Sequence, residues 1–284
     1  MKFNNRAGET ISRPYLSQES SKMANRFNEV KPGDGVYEWA DFSYNIGKGC
    51  SNNCRYCYAY EITVEMDRKD GKIFRRADWP HDRVKEWKAN IHQSVEGIVM
   101  FPSMHDITPA YLPTYLRTLR NILFDDNRVV AVTKPRLESI RAICDQFREY
   151  KEMMLFRMTI TCLDEQLARY WEPGAPTPDE RLAALRLAYE SGFQTSVSVE
   201  PMIDSVDRTI ELYQTVLPYL TEDIWIGKMN GIDRRVDMQD QASQDAVRLI
   251  REQQSDDNIL RLYEQLRDAN KVEWKDSIRK VVGL

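Results

Sequence analysis

The sequence predicts an α/β fold built on a parallel β-sheet. Six short runs of apolar and β-branched residues alternate with amphipathic helical segments, and their spacing of about 30 residues is that of βαβ units. Parallel strands need a long crossover connection, which a helix provides. An open sheet and a curved partial barrel both fit this pattern, and in both the ligands bind at the carboxyl ends of the strands.

The N-terminal half contains three of the six strands. Residues 1–40 are polar and include a turn-prone sequence at 31–35, which indicates an irregular arm before the sheet. A first strand over 42–46 ends at Gly47 and Gly49, and a polar insert follows. The next predicted elements are a helix over 82–95, a strand over 97–101, a helix over 111–123, a strand over 128–133 and a helix over 136–150.

The C-terminal half repeats the alternation and then becomes helical. Its predicted elements are a strand over 154–161, helices over 164–171 and 179–191, a strand over 194–199, a helix over 206–219, a strand over 223–227 and a helix-rich segment over 239–270. We therefore divide the chain into an N-terminal arm (1–40), an alternating unit (41–235) and a helical C-terminal extension (236–284).

Composition and charge limit the class of protein. The 284 residues are 42% hydrophobic and 30% charged, which is typical of a globular protein. Forty Lys and Arg against 44 Asp and Glu give a net charge of −4, so a nucleic acid would have to bind at a local site rather than across a basic face. No run approaches the roughly 18 apolar residues of a membrane helix, and the polar start lacks a signal-peptide core. We expect a cytoplasmic protein without membrane contact.

Three of the five cysteines lie close together after the first strand. Cys50, Cys54 and Cys57 fall within eight residues, whereas Cys144 and Cys162 stand alone. Structural zinc usually needs four ligands, and the three histidines show no paired spacing that would complete such a set. Three thiolates suffice for three irons of a 4Fe-4S cluster and leave the fourth iron open to a small ligand. A zinc site with an unidentified fourth ligand and unliganded loop cysteines are the alternatives.

The sequence around these cysteines resembles a known family. The run Tyr44–Tyr58, with Tyr56 as the aromatic residue before the third cysteine, resembles the cluster loop of the radical S-adenosylmethionine (SAM) superfamily. Three later segments resemble the branch that contains spore photoproduct lyase and its DNA-repair-photolyase-like relatives. In chain order they are residues 102–106, 132–134 and 172–181.

The resemblance implies a partial, TIM-like (β/α)6 barrel and an enzyme with radical chemistry. In that family the three cysteines hold a 4Fe-4S cluster, and SAM chelates its open iron. One electron from a flavodoxin- or ferredoxin-type reductant then leads to cleavage of SAM into methionine and a 5′-deoxyadenosyl radical, which abstracts a hydrogen atom from the substrate. The expected substrate is a nucleic acid base or modified nucleotide. Modification of a peptide or small metabolite is the alternative, and a non-enzymatic zinc or iron-sulfur module is the least favoured reading.

The same resemblance assigns polar residues at the strand ends to SAM. Residues after the second strand would hold its methionine amino end, and Lys134 would bind its carboxylate. The expected cofactor-binding residues are Tyr56, Ser103, His105, Asp106, Lys134, Thr159, Thr161, Ser198 and Glu200. Structural alternatives exist: Asp106 as a helix N-cap, Lys134 as an exposed loop residue and the threonines as β-branched strand formers.

Further residues are candidates for the substrate and for hydrogen donation. Lys228 and Asn230 end the sixth strand, and Lys228 has Glu200 as an alternative partner. Arg157 lies in an apolar strand, where it needs a substrate anion or a peripheral salt bridge.

The hydrogen donor is a point of difference from the family. Spore photoproduct lyases place a cysteine donor where this sequence has Ser103. Cys162 is the candidate catalytic donor in its place, with a small buried core residue as the alternative. Because of this serine, we expect either thymine-dimer repair or an isomerisation or another rearrangement as the reaction.

Overall fold

Eight strands form one sheet in the computed structural model, which describes residues 26–33 and 35–284. The ten strands of the described residues, two of which form a separate pair, are β1 (Asn28–Glu29), β2 (Phe42–Ser43), β3 (Gly47–Lys48), β4 (Arg83–Val84), β5 (Ile98–Met100), β6 (Arg128–Thr133), β7 (Met154–Thr159), β8 (Gln194–Val199), β9 (Ile224–Ile226) and β10 (Val272–Trp274). The order in the sheet is β1-β2-β5-β6-β7-β8-β9-β10. All neighbouring pairs from β2 to β10 are parallel, and β1 is antiparallel to β2. β3 and β4 pair separately.

Helices connect the parallel strands and pack against them. They are α1 (Tyr58–Lys69), α2 (Leu112–Phe124), α3 (Leu137–Gln146), α4 (Glu165–Trp171), α5 (Pro178–Glu190), α6 (Val206–Val216), α7 (Ile232–Arg235), α8 (Gln241–Gln253), α9 (Asp256–Leu266) and α10 (Asp276–Val282). Short 3-10 turns occur at 76–78, 86–90, 109–111, 148–153 and 217–219. In the part of the chain that the structure describes, no helix is both long and apolar enough to span a bilayer.

The two faces of the sheet bury different sets of side chains. Val99, Val129 and Phe156 point to the main core under the helices. Their strand neighbours Met100 and Val130 point to the other face and pack with residues of the arm. Burial of each such side chain stabilises the fold by about 1.5–3 kcal/mol, which explains why these strands are apolar on both faces.

The arm and the last strand meet across the open side of the sheet. The Trp39 and Trp225 rings lie 6.1 Å apart at 66°. Lys275, directly after β10, donates to the carbonyl of Gly35 at 2.9 Å and pairs with Glu38. The two edges of the sheet therefore curve toward each other and form a partial barrel. Residues 1–25 and 34 of the predicted arm lie outside the described residues.

The predicted class is confirmed, because the six predicted strands are present as β2 and β5 to β9 and all are parallel. The predicted helix over 82–95 is wrong: the segment holds β4 and the 3-10 turn Glu86–Asn90. Long-range contacts fix this shape, because β4 pairs with β3 and the amide of Lys85 donates to the carbonyl of Ile46 at 2.8 Å.

Two elements differ from the sequence-based expectation. The polar insert after the cysteines contains the 12-residue helix α1, which buries only Ala59 and Thr63 and so shows little apolar periodicity. The helical extension also adds β10 to the edge of the sheet, in parallel register with β9. With three residues, β10 is too short to show a strand period.

Candidate active site

The cysteine loop runs from β3 to α1 and is held in a tight backbone conformation. Gly49 has φ +89°, and a Cβ at this position would lie 2.5 Å from the carbonyl oxygen of His81, so only glycine fits. The amide of Cys50 donates to the carbonyl of Trp79 at 2.8 Å. Cys57 is the N-cap residue of α1. The loop is thus fixed at both ends by contacts within the chain.

Two side chains from the following insert anchor the loop backbone. Nη2 of Arg76 donates to the carbonyls of Asn53 and Cys54 at 3.0 and 2.6 Å. The carboxylate of Asp82 accepts a 2.7 Å hydrogen bond from the amide of Ser51. Asp82 comes directly before β4, and its contact with the loop is a further reason why residues 82–95 do not form a helix.

A second turn, between α4 and α5, packs directly on the loop. The amide of Gly174 donates to the carbonyl of Asn52 at 3.0 Å. A Cβ on Gly174 would lie 1.9 Å from the carbonyl oxygen of Ser51, so the contact requires glycine. Arg136 joins both parts, donating to the Gly174 carbonyl at 2.7 Å and to Oδ1 of Asn52 at 3.3 Å.

A buried ionic group lies beneath this contact. Glu172 and Arg181 are each 1% exposed, and Oε2 and Nη2 are 2.5 Å apart. Glu172 also accepts from the hydroxyl of Tyr56, and Nζ of Lys134 lies 3.8 Å from Oε1. Burial alone would raise the pKa of Glu172, but the charges of Arg181 and Lys134 hold it below its ordinary value.

Asp106 connects the loop to the end of β6. Its carboxylate accepts from Nδ2 of Asn52 at 2.7 Å, from the amides of Ile107 and Lys134 at 2.8 and 3.0 Å, and from the hydroxyl of Thr133. Burial raises the pKa of Asp106, and the charge of Lys134 opposes that shift. The N-cap alternative does not describe this residue, because the 3-10 turn that follows begins after Thr108 and has no side-chain cap.

His105 holds the backbone ahead of the cysteines. Nε2 faces the amides of Ile46 and Gly47 at 3.2 and 3.1 Å and accepts from both, which assigns the proton to Nδ1. Nδ1 lies 3.2 Å from the hydroxyl of Tyr115. Burial lowers the pKa of His105 to about 4, so the ring is neutral at pH 7.

A cavity of about 560 Å³ opens above these contacts, at the carboxyl ends of the parallel strands. All three clustered cysteines line it, together with most of the strand-end residues named from the sequence. The predicted residues on its wall are Cys50, Cys54, Tyr56, Cys57, Ser103, His105, Asp106, Lys134, Thr159, Ser198, Glu200, Lys228 and Asn230.

Comparison with known proteins identifies the family of this chain. Residues 44–211 match the sequence profile of the radical SAM superfamily, and the match covers more than half of the chain. The chain belongs to the radical SAM superfamily. The expectation from the cysteine loop is confirmed, and the protein is an enzyme with radical chemistry.

The individual proteins to which this chain is similar are distant from it in sequence. The uncharacterized protein ORF301 of Acidianus two-tailed virus is 27% identical over 253 residues, which covers 78% of this chain and 76% of that protein. A structure of spore photoproduct lyase complexed with dinucleoside spore photoproduct is 17% identical with a TM-score of 0.54, over 89% of this chain and 80% of that one. SuiB of Streptococcus suis bound to SAM is 12% identical with a TM-score of 0.50, over 84% and 51% of the two chains. These two structures share the fold.

Radical SAM proteins bind SAM and an iron-sulfur cluster, and the cysteines of this chain have the chemistry of cluster ligands. All three are free thiols on the wall of one cavity. Burial raises the pKa of Cys54 to about 12 and also raises those of Cys50 and Cys57. They are therefore protonated without metal, and iron would stabilise the thiolates. In the described residues, no three His, Cys, Asp or Glu side chains are grouped so closely that they could hold one metal ion.

Three predicted site residues do not line this cavity. The hydroxyl of Thr161 donates to Glu172 at 3.2 Å. Arg157 bonds to Ser196 at 2.9 Å and to Asp223 at 2.8 Å, so the salt bridge and not a substrate anion satisfies it. Cys162 packs among apolar residues near Trp171, and its thiol donates to the carbonyl of Asp164 at 3.3 Å. These contacts match the structural alternative given for Cys162.

Sequence reasoning missed several residues that shape the candidate site. Asn45 accepts from the amide of Ser103 at 2.9 Å and donates to its hydroxyl at 2.8 Å. Asn52, Arg76 and Arg136 hold the loop as described above. Asn45 and Asn52 belong to the motif that carried the resemblance, so a functional signal was present there. Arg76 had no such signal, because its partners are backbone carbonyls more than 20 residues away.

Proposed function

We propose that this protein binds a 4Fe-4S cluster through Cys50, Cys54 and Cys57 and binds SAM in the adjoining cavity. The observation that carries the proposal is that three free thiols line one cavity at the carboxyl ends of parallel strands, in a chain of the radical SAM superfamily. When bound and reduced, the cluster supplies the electron that cleaves SAM to a radical able to abstract hydrogen from a substrate.

The cavity offers charges suited to the zwitterionic end of SAM. Lys134 lies on the wall with only 13% of its side chain exposed, and its nearest carboxylate is 3.8 Å away, so its donors remain available to an anion. Asp106 already accepts four hydrogen bonds from the chain, which uses the acceptor positions of a carboxylate. We infer that Lys134 bonds the SAM carboxylate directly, whereas Asp106 favours the ammonium through its charge.

Positioning is the second task of these residues. Asp106 accepts hydrogen bonds from Asn52 of the cysteine loop and from the amide of Lys134. The loop that carries the cysteines and the residue proposed to bind SAM therefore belong to one hydrogen-bonded frame. His105 and Asn45 fix the backbone on either side of the loop entrance. Such a frame orients bound groups at no further entropic cost at the moment of reaction.

A nucleic acid base or modified nucleotide is the substrate that we propose for this cavity. The Tyr58 ring, from the first turn of α1, lines the wall and is 38% exposed, so it offers a stacking face. Arg235, on the same wall, lies 5.9 Å from the ring centroid. A spore photoproduct lyase of the same fold binds a dinucleoside photoproduct. A flavodoxin- or ferredoxin-type protein is the proposed reductant.

Metal analysis and SAM cleavage test the proposal. Anaerobic purification should give a brown protein with about four irons and four sulfides per chain. Addition of dithionite and SAM should release 5′-deoxyadenosine. A colourless protein that carries one zinc after anaerobic reconstitution would contradict the cluster assignment. Deuterium transfer from labelled candidate substrates into 5′-deoxyadenosine, followed by mass spectrometry, would identify the C–H bond that is attacked.

A further inference from the structure

A second cavity, of about 420 Å³, lies against the other side of the cysteine loop. Asn53 and Arg55 line it, whereas the alternate loop residues Asn52, Cys54 and Tyr56 line the first cavity. The loop is therefore the partition between the two cavities. Four arginines stand on the second wall: Arg55, Arg76, Arg234 and Arg235. We call this space the arginine pocket.

The acidic groups of the arginine pocket do not neutralise all of its arginines. Arg234 and Arg235 both pair with Glu61, at 3.1 and 2.9 Å. Of the two aspartates on the wall, Asp240 caps α8 by accepting from Ser243, and Asp237 accepts from the amide of Gln239. Arg55 and Arg76 have no carboxylate within 4.0 Å among residues 26–33 and 35–284. Because both aspartates keep their charge, the four arginines against the carboxylates of Glu61, Asp237 and Asp240 leave one net positive charge for an anion from outside.

Both unpaired guanidinium groups are held in place by other contacts. Arg55 lies 4.4 Å from the ring centroid of Tyr170 and donates from Nε to the carbonyl of that residue at 2.7 Å. Arg76 lies 4.8 Å from the ring centroid of Tyr60 and donates from Nη2 to two loop carbonyls. Its Nη1 is buried and has no partner in the described residues. Rigid guanidinium groups with free N–H donors match the geometry of a phosphate group.

Arg235 links this pocket to the substrate cavity, because it lies on both walls. We propose that the arginine pocket binds a phosphate group of the substrate while the reacting part occupies the first cavity. The inference rests on the function proposed above for that cavity. The phosphate is either a phosphodiester of a nucleic acid strand or the monoester of a free nucleotide, and both present the same oxygens to the arginines.

Isothermal titration of the iron-loaded protein tests the proposal. The probes are inorganic phosphate, a short single-stranded DNA oligonucleotide, a nucleoside 5′-monophosphate and the same nucleoside without phosphate. We expect the phosphate-bearing probes to bind more tightly than the nucleoside. Tighter binding of the oligonucleotide than of the monophosphate would identify the phosphodiester as the source, and the reverse order would identify the monoester.

Charge-removing variants place the binding in the arginine pocket. Arg55→Gln and Arg234→Gln should each weaken phosphate binding by about tenfold, because a charge-assisted hydrogen bond is lost. Arg234 is well exposed, so its variant should fold even if Arg55→Gln does not. Arg141→Gln is the matched control: it removes one charge from an exposed position on α3 and should leave the affinity unchanged.

Two results would overturn the inference. The first is iron-loaded wild-type protein that binds no phosphate-bearing probe more tightly than the nucleoside. The second is a phosphate affinity that stays unchanged in both pocket variants, while their SAM cleavage is slower when a flavodoxin is the reductant and unchanged when dithionite is. That combination would identify the pocket as a docking site for the reductant. Absence of iron from the wild-type protein is a separate result that refutes the proposed function instead.

Discussion

Two arginine–carboxylate pairs with buried guanidinium groups differ in what surrounds them. Arg181 and Glu172 lie beneath the cysteine loop, where Tyr56 and Lys134 also contact the carboxylate. We call these four residues the site cluster. Arg157 lies inside the barrel between the rings of Trp39 and Trp225, 4.8 and 5.5 Å from their centroids, and pairs with Asp223. We call these residues the barrel cluster.

The difference lies in the elements that supply the charges. Arg157 projects from the middle of β7, and its partners come from β8, from β9 and the residue before it, and from the arm. The barrel cluster therefore lies within the sheet. Glu172 stands in a turn that packs on the cysteine loop through Gly174. A change in the site cluster should therefore disturb both stability and metal binding, whereas a change at Arg157 or Asp223 should disturb stability alone.

The largest effect is expected from the cysteines beside the site cluster. Alanine at Cys50, Cys54 or Cys57 removes one of three thiolates, so iron content and 5′-deoxyadenosine formation should fall to background. Cys144→Ala and Cys162→Ala are matched controls that should keep the cluster. Wild-type iron content in any of the three alanine variants would contradict the ligand assignment. Full substrate turnover by Cys162→Ala would exclude that thiol as hydrogen donor.

Glu172→Gln tests the coupling between the site cluster and the metal. The change leaves the fully buried Arg181 without its counter-ion, which should reduce the free energy of unfolding by about 3–5 kcal/mol and also reduce iron content. Urea denaturation and iron analysis measure the two effects. Glu165→Gln removes a carboxylate from an exposed pair with Arg169 on α4 and should cost less than about 1 kcal/mol. A destabilised variant with full iron occupancy would break the proposed coupling.

His105 should make the site region sensitive to acid. Its folded pKa of about 4 lies below the unfolded value near 6.5, so its contribution is complete above pH 6.5 and is lost as the pH falls toward 4. The loss amounts to at most about 3 kcal/mol. Denaturation of the wild type and of His105→Gln at several pH values measures this contribution. The difference between the two proteins in free energy of unfolding should shrink as the pH falls from 6.5 toward 4. A constant difference would argue against a neutral buried ring.

The smallest effect is expected in the barrel cluster. Arg157→Met keeps an apolar stem between the two tryptophans and removes the partner of Asp223, whose side chain is 28% exposed and retains contact with water. We expect a loss of about 1–2 kcal/mol in the free energy of unfolding. Iron content and SAM cleavage should match the wild type below the melting temperature. A loss of iron in this variant would show that the two clusters are not independent.

The sequence predicted what is encoded locally. The apolar runs of β5 to β9 are bounded by Gly, Pro and polar residues, and the cysteine triplet is contiguous, so both were evident. Arg157 shows the limit of prediction from the sequence. Its need for an anionic partner was clear, but Asp223 lies 66 residues away. Only the fold could show whether the partner belongs to the protein or to a substrate. The role of Glu172 was hidden for the same reason, because its turn and the loop meet only in three dimensions.

The contact of Lys275 with the arm has a consequence for the order in which the protein assembles. The hydrogen bond to Gly35 joins residues 240 positions apart, close to the greatest separation this chain allows. Val36 and Trp39, next to that bond, belong to the wall of the first cavity. We expect contacts of such separation to form after local ones, because the loop they close is long. We therefore expect the wall of this cavity to be completed only after β10 has joined the sheet.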